Sequence, residues 1–220
     1  HPAERSRQPG RRHPVRGWSV PDTIRSVLNN PAARRVVSGA IEPPARLLLR
    51  MHVSPDAVTL GGTLAVVVVA LVFLPQGWFV PAVIILFVLA FSDLLDGTMA
   101  RMAGTSGPWG NFLDATLDRI GDGAIFGGLA LYGAFHGQPW ITAAATLALV
   151  TGQVTSYAKA RAEAVGATAN VGIAERAERL IVAAIAVLLT GFGVPYVLPA
   201  ALWLLGALGL ITIAQRVVTV

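Results

Sequence analysis

From Asp56 onward the chain alternates long apolar runs with short polar breaks. Six runs come close to the ~20 residues that a helix needs to cross the hydrocarbon core of a bilayer. They cover residues 56–74, 79–102, 111–135, 140–163, 176–191 and 196–217. The breaks "LPQGW", "FHGQPW" and "GFGVPY" are uncharged and hold Pro, Gly and aromatic residues suited to a membrane interface. The other two breaks, "RMAGTSGPWG" and "KARAEAVGATANVGIAERAER", carry the charge. Ser54-Pro55-Asp56 predicts where the first long helix starts: a hydroxyl cap, a proline in the first turn and an acid at the positive end of the helix dipole.

Before residue 53 the pattern changes. Val27 and Leu28, Val36 and Val37, and the three leucines 47–49 form apolar clusters too short to span, separated by Arg and Pro. Residues 19–52 therefore read as an amphipathic segment lying at the membrane interface. Residues 1–18 are polar without any period and read as a disordered basic tail or an expression remnant. Residues 53–220 form the membrane domain. The fold class expected is an all-α integral membrane protein of about six transmembrane helices, preceded by an amphipathic juxtamembrane segment.

Composition sharpens this picture. Only 13% of residues are charged and mean hydropathy is +0.63, against about 25% charged in soluble domains. Cysteine is absent, so disulfides, thiolate catalysis and Fe–S clusters are excluded. His1, His13, His52 and His136 are scattered without metal-ligand spacing. No apolar leader region occurs near the start, so no cleavable signal peptide is expected. The early arginines (Arg5, Arg7, Arg11, Arg12, Arg16, Arg25, Arg34, Arg35, Arg46, Arg50) suit anionic lipid headgroups better than nucleic acid. The later basic residues are Arg101, Arg119, Lys159, Arg161, Arg176, Arg179 and Arg216, and all fall at one set of helix ends. The positive-inside rule puts both termini and both charged loops in the cytoplasm of a plasma-membrane protein.

Within this apolar frame, residues 92–123 hold Asp93, Asp96, Asp114, Asp118 and Asp122. A carboxylate at bilayer depth costs on the order of 2.5–3.5 kcal/mol, so a cluster needs something to neutralise it. Asp93 and Asp96 are spaced i, i+3 on one helix, and Asp114 and Asp118 are i, i+4 on the next. Two antiparallel helices joined by a short loop can aim both pairs at one place, roughly 10 Å inside the boundary. An oxygen-only ligand set favours Mg²⁺, Mn²⁺ or Ca²⁺ over zinc. Gly97 and Ala100 leave space on the Asp93 face, Arg101 offers a planar fork to a phosphate, and Gly110 lets backbone approach a ligand. An ion or proton transporter is the rival reading. It predicts acids spread through the membrane depth, whereas these sit on two helices at one depth, and no internal repeat is visible.

Written out, Asp93-x2-Asp96-Gly97-x2-Ala100-Arg101-x8-Gly110-x3-Asp114-x3-Asp118 resembles the signature of the CDP-alcohol phosphotransferases at every fixed position. That resemblance implies a metal-dependent membrane enzyme, a likeness extending over about 53–216. It implies that Asp93, Asp96 and Asp114 bind the metal, Mg²⁺ or Mn²⁺. It implies that Asp118 is the base for the acceptor hydroxyl and also touches a second metal. Gly97, Ala100, Arg101 and Gly110 would line the cytidine diphosphate of CDP-diacylglycerol, and Asp56, Ala57, Val58 and Thr59 would meet the nucleotide from the first span. Asp122 lies outside the signature, with support of its neighbours and substrate contact both open. The family also implies a homodimer.

"DATLDRIGDGAIF", "SYAKARAEAVG" and "ERAERLI" resemble the actinobacterial branch of that family, the phosphatidylinositol phosphate synthases, with Ala177 where that branch has proline. The implied acceptor is inositol phosphate. Lys159, Arg161, Arg176, Arg179 and Arg216 are the candidates for its phosphate, because a soluble phosphorylated acceptor needs such a basic cluster. Glycerol phosphate would need one too, so phosphatidylglycerophosphate synthase is the alternative. The predicted topology has a direct check. Cysteines introduced at Gln76 or Gly137 should react with an impermeant thiol reagent added outside intact cells, and one at Ala167 should not. The reverse pattern would put the aspartates on the wrong side of the membrane.

Overall fold

The computed structural model describes residues 31–220 apart from Ser106, Asn170 and Ala174, with side chains described from 41 onward outside 91–94. The expected tail 1–18 and the first part of the interfacial segment lie outside the described residues. The described chain is helical and contains no strand. α1 covers Pro31–Arg50 and includes Pro43 and Pro44, each of which removes a backbone donor from the helix. The compact unit Glu42–Val220 holds the six long helices. These are α2 (Pro55–Phe73), α3 (Phe79–Ala103), α4 (Pro108–Phe135), α5 (Pro139–Ala164), α6 (Arg176–Gly191) and α7 (Val197–Thr219).

All six stand within a few residues of the expected positions, and local chemistry explains the boundaries. The Ser54 side chain accepts from the Ala57 N–H at 3.2 Å while Pro55 opens α2. Gly104, at φ 66°, turns the chain out of α3 in the left-handed conformation that glycine adopts without strain. Pro108 and Pro139 open α4 and α5, three and one residues ahead of the expected starts, because proline in a first turn forfeits only a donor that has no helical partner. The α6 start is fixed by its own acids: the Glu175 N–H donates to Glu178 Oε2 at 3.0 Å.

α2, α3 and α7 are long and apolar enough to cross a membrane, each with mean hydropathy 2.2. α4, α5 and α6 carry the charged residues discussed below. Large apolar side chains cover the outside: Leu60, Leu64, Val68 and Leu71 form an exposed stripe along α2. In water that stripe would be a liability; against lipid tails it is the expected surface. The protein is membrane-embedded.

Each of the six helices packs against two others, in the cyclic order α2, α4, α5, α7, α6, α3 and back to α2. Small residues set the crossings. At Gly128 of α4 an added methyl would run into the Ala70 backbone carbonyl of α2. At Gly206 of α7 it would lie 2.7 Å from the Leu147 side chain of α5, and at Gly191 of α6 it would lie 2.8 Å from Val80 of α3. Without a hydrophobic force between helices in lipid, such backbone-close packing is a main source of association. Between the crossings lies an apolar core that includes Leu74, Leu129, Leu198 and Leu202, all fully buried.

Gly97 and Gly110 differ: a methyl at either meets nothing within 4 Å. Their conformation and packing do not require glycine, so the space beside them is open. Gly128→Ala should therefore lower the thermal midpoint in detergent, at an overpacking cost of about 1–3 kcal/mol. Gly97→Ala should leave the midpoint unchanged or raise it slightly, since alanine is the better helix former. Equal effects of the two would remove the distinction.

Candidate active site

The site lies where the first turns of α2, α4 and α6 meet the last turns of α3 and α5. From α2, the Thr59 hydroxyl is 2.5 Å from Asp96 Oδ2 on α3 and 3.1 Å from its own-helix carbonyl at Pro55. Asp56 Oδ2 accepts from Trp109 Nε1 of α4 at 3.0 Å. The expected nucleotide segment of α2 is thus tied both to the first acidic pair and to the start of the second. Asp96 is buried and lies within electrostatic reach of Asp114 and Asp56. Asp114 is exposed, and it also acts on the half-buried Asp118. Asp93 sits one turn before Asp96 on α3, and its side chain is outside the described set.

The carboxylates divide into two groups by partner. Among the described residues no Lys or Arg forms an ion pair with Asp56, Asp96 or Asp114. Asp118 and Asp122, further along α4, face guanidinium groups. Arg176 Nη1 is 2.8 Å from Asp118 Oδ2, and Arg176 Nε is 3.1 Å from Asp122 Oδ1 and 3.3 Å from Oδ2. Arg119 Nη2 is 3.5 Å from Asp122 Oδ2. Arg119 also donates to the Ser156 hydroxyl of α5, while Gln153 Nε2 donates to the Arg119 carbonyl at 2.9 Å.

Arg176 and Arg179 stand in the first turn of α6, three residues apart on one side. Cations there oppose the helix dipole, so the position is costly without carboxylates opposite. α4 and α6 are not successive in the ring, and the Arg176 pairs link them. Arg179 is 6% exposed. It lies against Gly152 of α5, where an added methyl would collide with its guanidinium. Its Nε is buried without a hydrogen-bond partner, and among the described residues the side chain forms no ion pair. Such a group costs several kcal/mol unless an anion meets it.

The remaining candidates separate. Arg216 is buried, with Nε donating to the Val171 carbonyl at 3.0 Å and Nη1 to the Thr155 carbonyl at 2.5 Å, so it ties the α5–α6 loop to α7. Lys159 is half-buried and engaged, and Arg161 is exposed on the last turn of α5. Arg101 is exposed at the end of α3, where its Nη2 donates to Thr98 Oγ1 at 3.0 Å. Gly97, Ala100 and Gly110 are half-buried, beside the open space noted above. Ala57 and Val58 lie in the first turns of α2. The sequence reading left Arg119, Ser156 and Gly152 out of the site. The spacing of Arg119 three residues before Asp122 was the available signal; nothing marked Gly152, whose partner is on another helix.

Comparison with known proteins agrees with this architecture. The family model for CDP-alcohol phosphatidyltransferase matches residues 52–217. The chain belongs to the CDP-alcohol phosphatidyltransferase family and is a phosphotransferase. Among relatives, phosphatidylinositol phosphate synthase of Streptomyces avermitilis is 46% identical over 213 residues, covering 93% of this chain and 87% of that protein. The enzyme of the same name from Cutibacterium acnes is 47% identical over 189 residues, covering 82% and 91%. A crystal structure of Mycobacterium tuberculosis phosphatidylinositol phosphate synthase with CDP-DAG bound superposes with TM-score 0.78 at 41% identity, covering 84% of this chain and 93% of that one. A second structure of that enzyme, in complex with manganese and citrate, gives TM-score 0.76 at 42% identity over 80% and 87%.

The two carbonyls held by Arg216 make a test. Arg216→Ala should leave them without a charged donor, at about 1–3 kcal/mol. The thermal midpoint should fall, and amide exchange in residues 165–175 should speed up. Unchanged exchange there would show that the loop does not depend on Arg216.

Proposed function

We propose that this chain transfers the phosphatidyl group of CDP-diacylglycerol to inositol phosphate, giving phosphatidylinositol phosphate and CMP. The observation that carries the reading is the electrostatic division of the site. Among the described residues, its Asp56–Asp96–Asp114 end has carboxylates that form no ion pair with a basic side chain, and its α6 end has a buried guanidinium, Arg179, that forms no ion pair. The first suits a cation with a diphosphate, and the second suits an acceptor that brings its own phosphate. The names of the similar enzymes support the same assignment.

Asp93, Asp96 and Asp114, with Asp118 at the edge, would hold the divalent metal, Mg²⁺ or Mn²⁺; the chemistry of an all-oxygen donor set suits such an ion. When bound, the ion supplies charge stabilisation at the diphosphate. The open space at Gly97 and Gly110, with Ala100 and Arg101 beside it, receives the cytidine diphosphate, and residues 56–59 of α2 meet the nucleotide. Asp118 takes the proton of the acceptor hydroxyl as its oxygen bonds to the lipid-linked phosphorus, and the bond to CMP breaks with its electron pair leaving on CMP. Arg179 and Arg176, with Lys159 near the mouth, hold the acceptor phosphate. Arg216 supports that pocket from α7 by holding the Val171 and Thr155 carbonyls. Residues 53–220 form the catalytic membrane domain and 19–52 an interfacial segment. The working unit is a homodimer in the plasma membrane with its site facing the cytoplasm, as the loop charges imply.

The test is a panel of acceptors with CDP-diacylglycerol and Mg²⁺ in detergent, following CMP release. Inositol phosphate should turn over, and free inositol should be poor. Asp93→Asn, Asp96→Asn, Asp114→Asn and Asp118→Asn should each abolish transfer in a folded protein, with Asp118→Asn retaining donor binding. Arg179→Ala should raise the acceptor KM about tenfold to a hundredfold, the loss of one charge-assisted contact. Efficient use of glycerol phosphate in place of inositol phosphate would favour phosphatidylglycerophosphate synthesis. Absence of CMP release with inositol phosphate would overturn the proposed acceptor.

A further inference from the structure

Asp122 falls outside the family signature, one turn beyond Asp118 on the same face of α4. It is 6% exposed, which a carboxylate tolerates only when paired. Both of its oxygens approach Arg176 Nε, at 3.1 and 3.3 Å, and Oδ2 also faces Arg119 at 3.5 Å. It is the carboxylate that acts favourably on Arg179, where Arg119, Arg176 and Arg216 act against it. One buried acid therefore balances a cluster of arginines. It grips Arg176 by Nε, the inner donor of the guanidinium, and Asp118 engages only Nη1. Among the described residues no partner is found for Nη2, whose N–H groups can meet an anion in a charge-assisted contact.

We infer that Asp122 is the positioning residue of the acceptor-phosphate pocket. It fixes Arg176 by Nε so that the Nη2 end of the guanidinium meets the phosphate. It also supplies the charge that keeps Arg179 buried beside Arg119 and Arg216. The inference rests on the assignment, under the proposed function, of this end of the site to a phosphorylated acceptor.

The experiment uses the whole chain in detergent with CDP-diacylglycerol, comparing wild type, Asp122→Asn and Asp122→Glu. Four quantities are read: acceptor KM, kcat at saturating acceptor, the constant for competitive inhibition by inorganic phosphate, and CDP-diacylglycerol affinity. Asp122→Asn should raise both the acceptor KM and the phosphate inhibition constant by at least about tenfold. It should leave kcat within about threefold and donor affinity unchanged. Asp122→Glu should recover part of the loss. A fall in kcat with KM and phosphate inhibition unchanged would place Asp122 at the reacting atoms and overturn the inference. So would a lowered thermal midpoint with all four quantities unchanged. If Asp122→Asn fails to fold, Asp122→Glu carries the test: its longer side chain should shift KM and phosphate inhibition together, and unchanged values overturn the inference. If inorganic phosphate does not inhibit the wild type and an unphosphorylated acceptor serves, the proposed acceptor is itself wrong and the inference falls with it.

Discussion

The ion pairs that Arg176 makes with Asp118 and Asp122 join two helices, α4 and α6, that are not successive in the ring of main helix contacts. Other helix pairs are joined by close glycine contacts, apolar packing and single hydrogen bonds such as Thr59–Asp96 and Gln153–Arg119. A guanidinium at 2.8 Å from one carboxylate and 3.1 Å from the next, one turn along the same helix, specifies both rotation and height of α6 against α4. Placing two arginines in the first turn of a helix opposes its dipole. In a membrane protein such a placement persists when the opposite side offers carboxylates, and α4 offers two in consecutive turns.

That pairing also divides the carboxylates. Asp118 stands at the junction, within reach of Asp114 on one side and of Arg176 on the other. In the proposed reaction this is where the base belongs, because the donor phosphorus lies on the acidic side and the acceptor arrives from the basic side. The glycines follow the same division of labour. Those at crossings are filled by a neighbouring helix, while Gly97 and Gly110 border space. A diphosphate needs room, and a bundle packed with small residues throughout would have left none.

Much of this was legible in the chain. The six helices followed from run lengths, and their starts from Ser54 and the prolines, because capping and membrane thickness are local constraints. The four signature aspartates followed from their i, i+3 and i, i+4 spacing. What the sequence could not give was which helix faced which. Arg216 read as one more cytoplasmic-end cation, and only the fold shows its guanidinium committed to the carbonyls of Val171 and Thr155. Arg161 read the same way and is exposed. Gly152 read as a small residue in an apolar helix, yet it is the seat of Arg179. Arg216 and Gly152 each depend on a partner more than twenty residues away in sequence.

The cyclic order groups the helices into three consecutive hairpins: α2 with α3, α4 with α5, and α6 with α7. Each hairpin brings a different share of the charge. A chain delivered to the bilayer from its N-terminus therefore presents the acids of α3 and α4 before the arginines of α6 and α7 exist to meet them. Until then, the basic partner that Asp122 finds among the described residues is Arg119 of its own helix. Arg176 of the final hairpin supplies the counter-charge for Asp118 and Asp122 of the second. A nascent chain halted before Arg176 lacks that counter-charge, and its two carboxylates distinguish it from the finished protein.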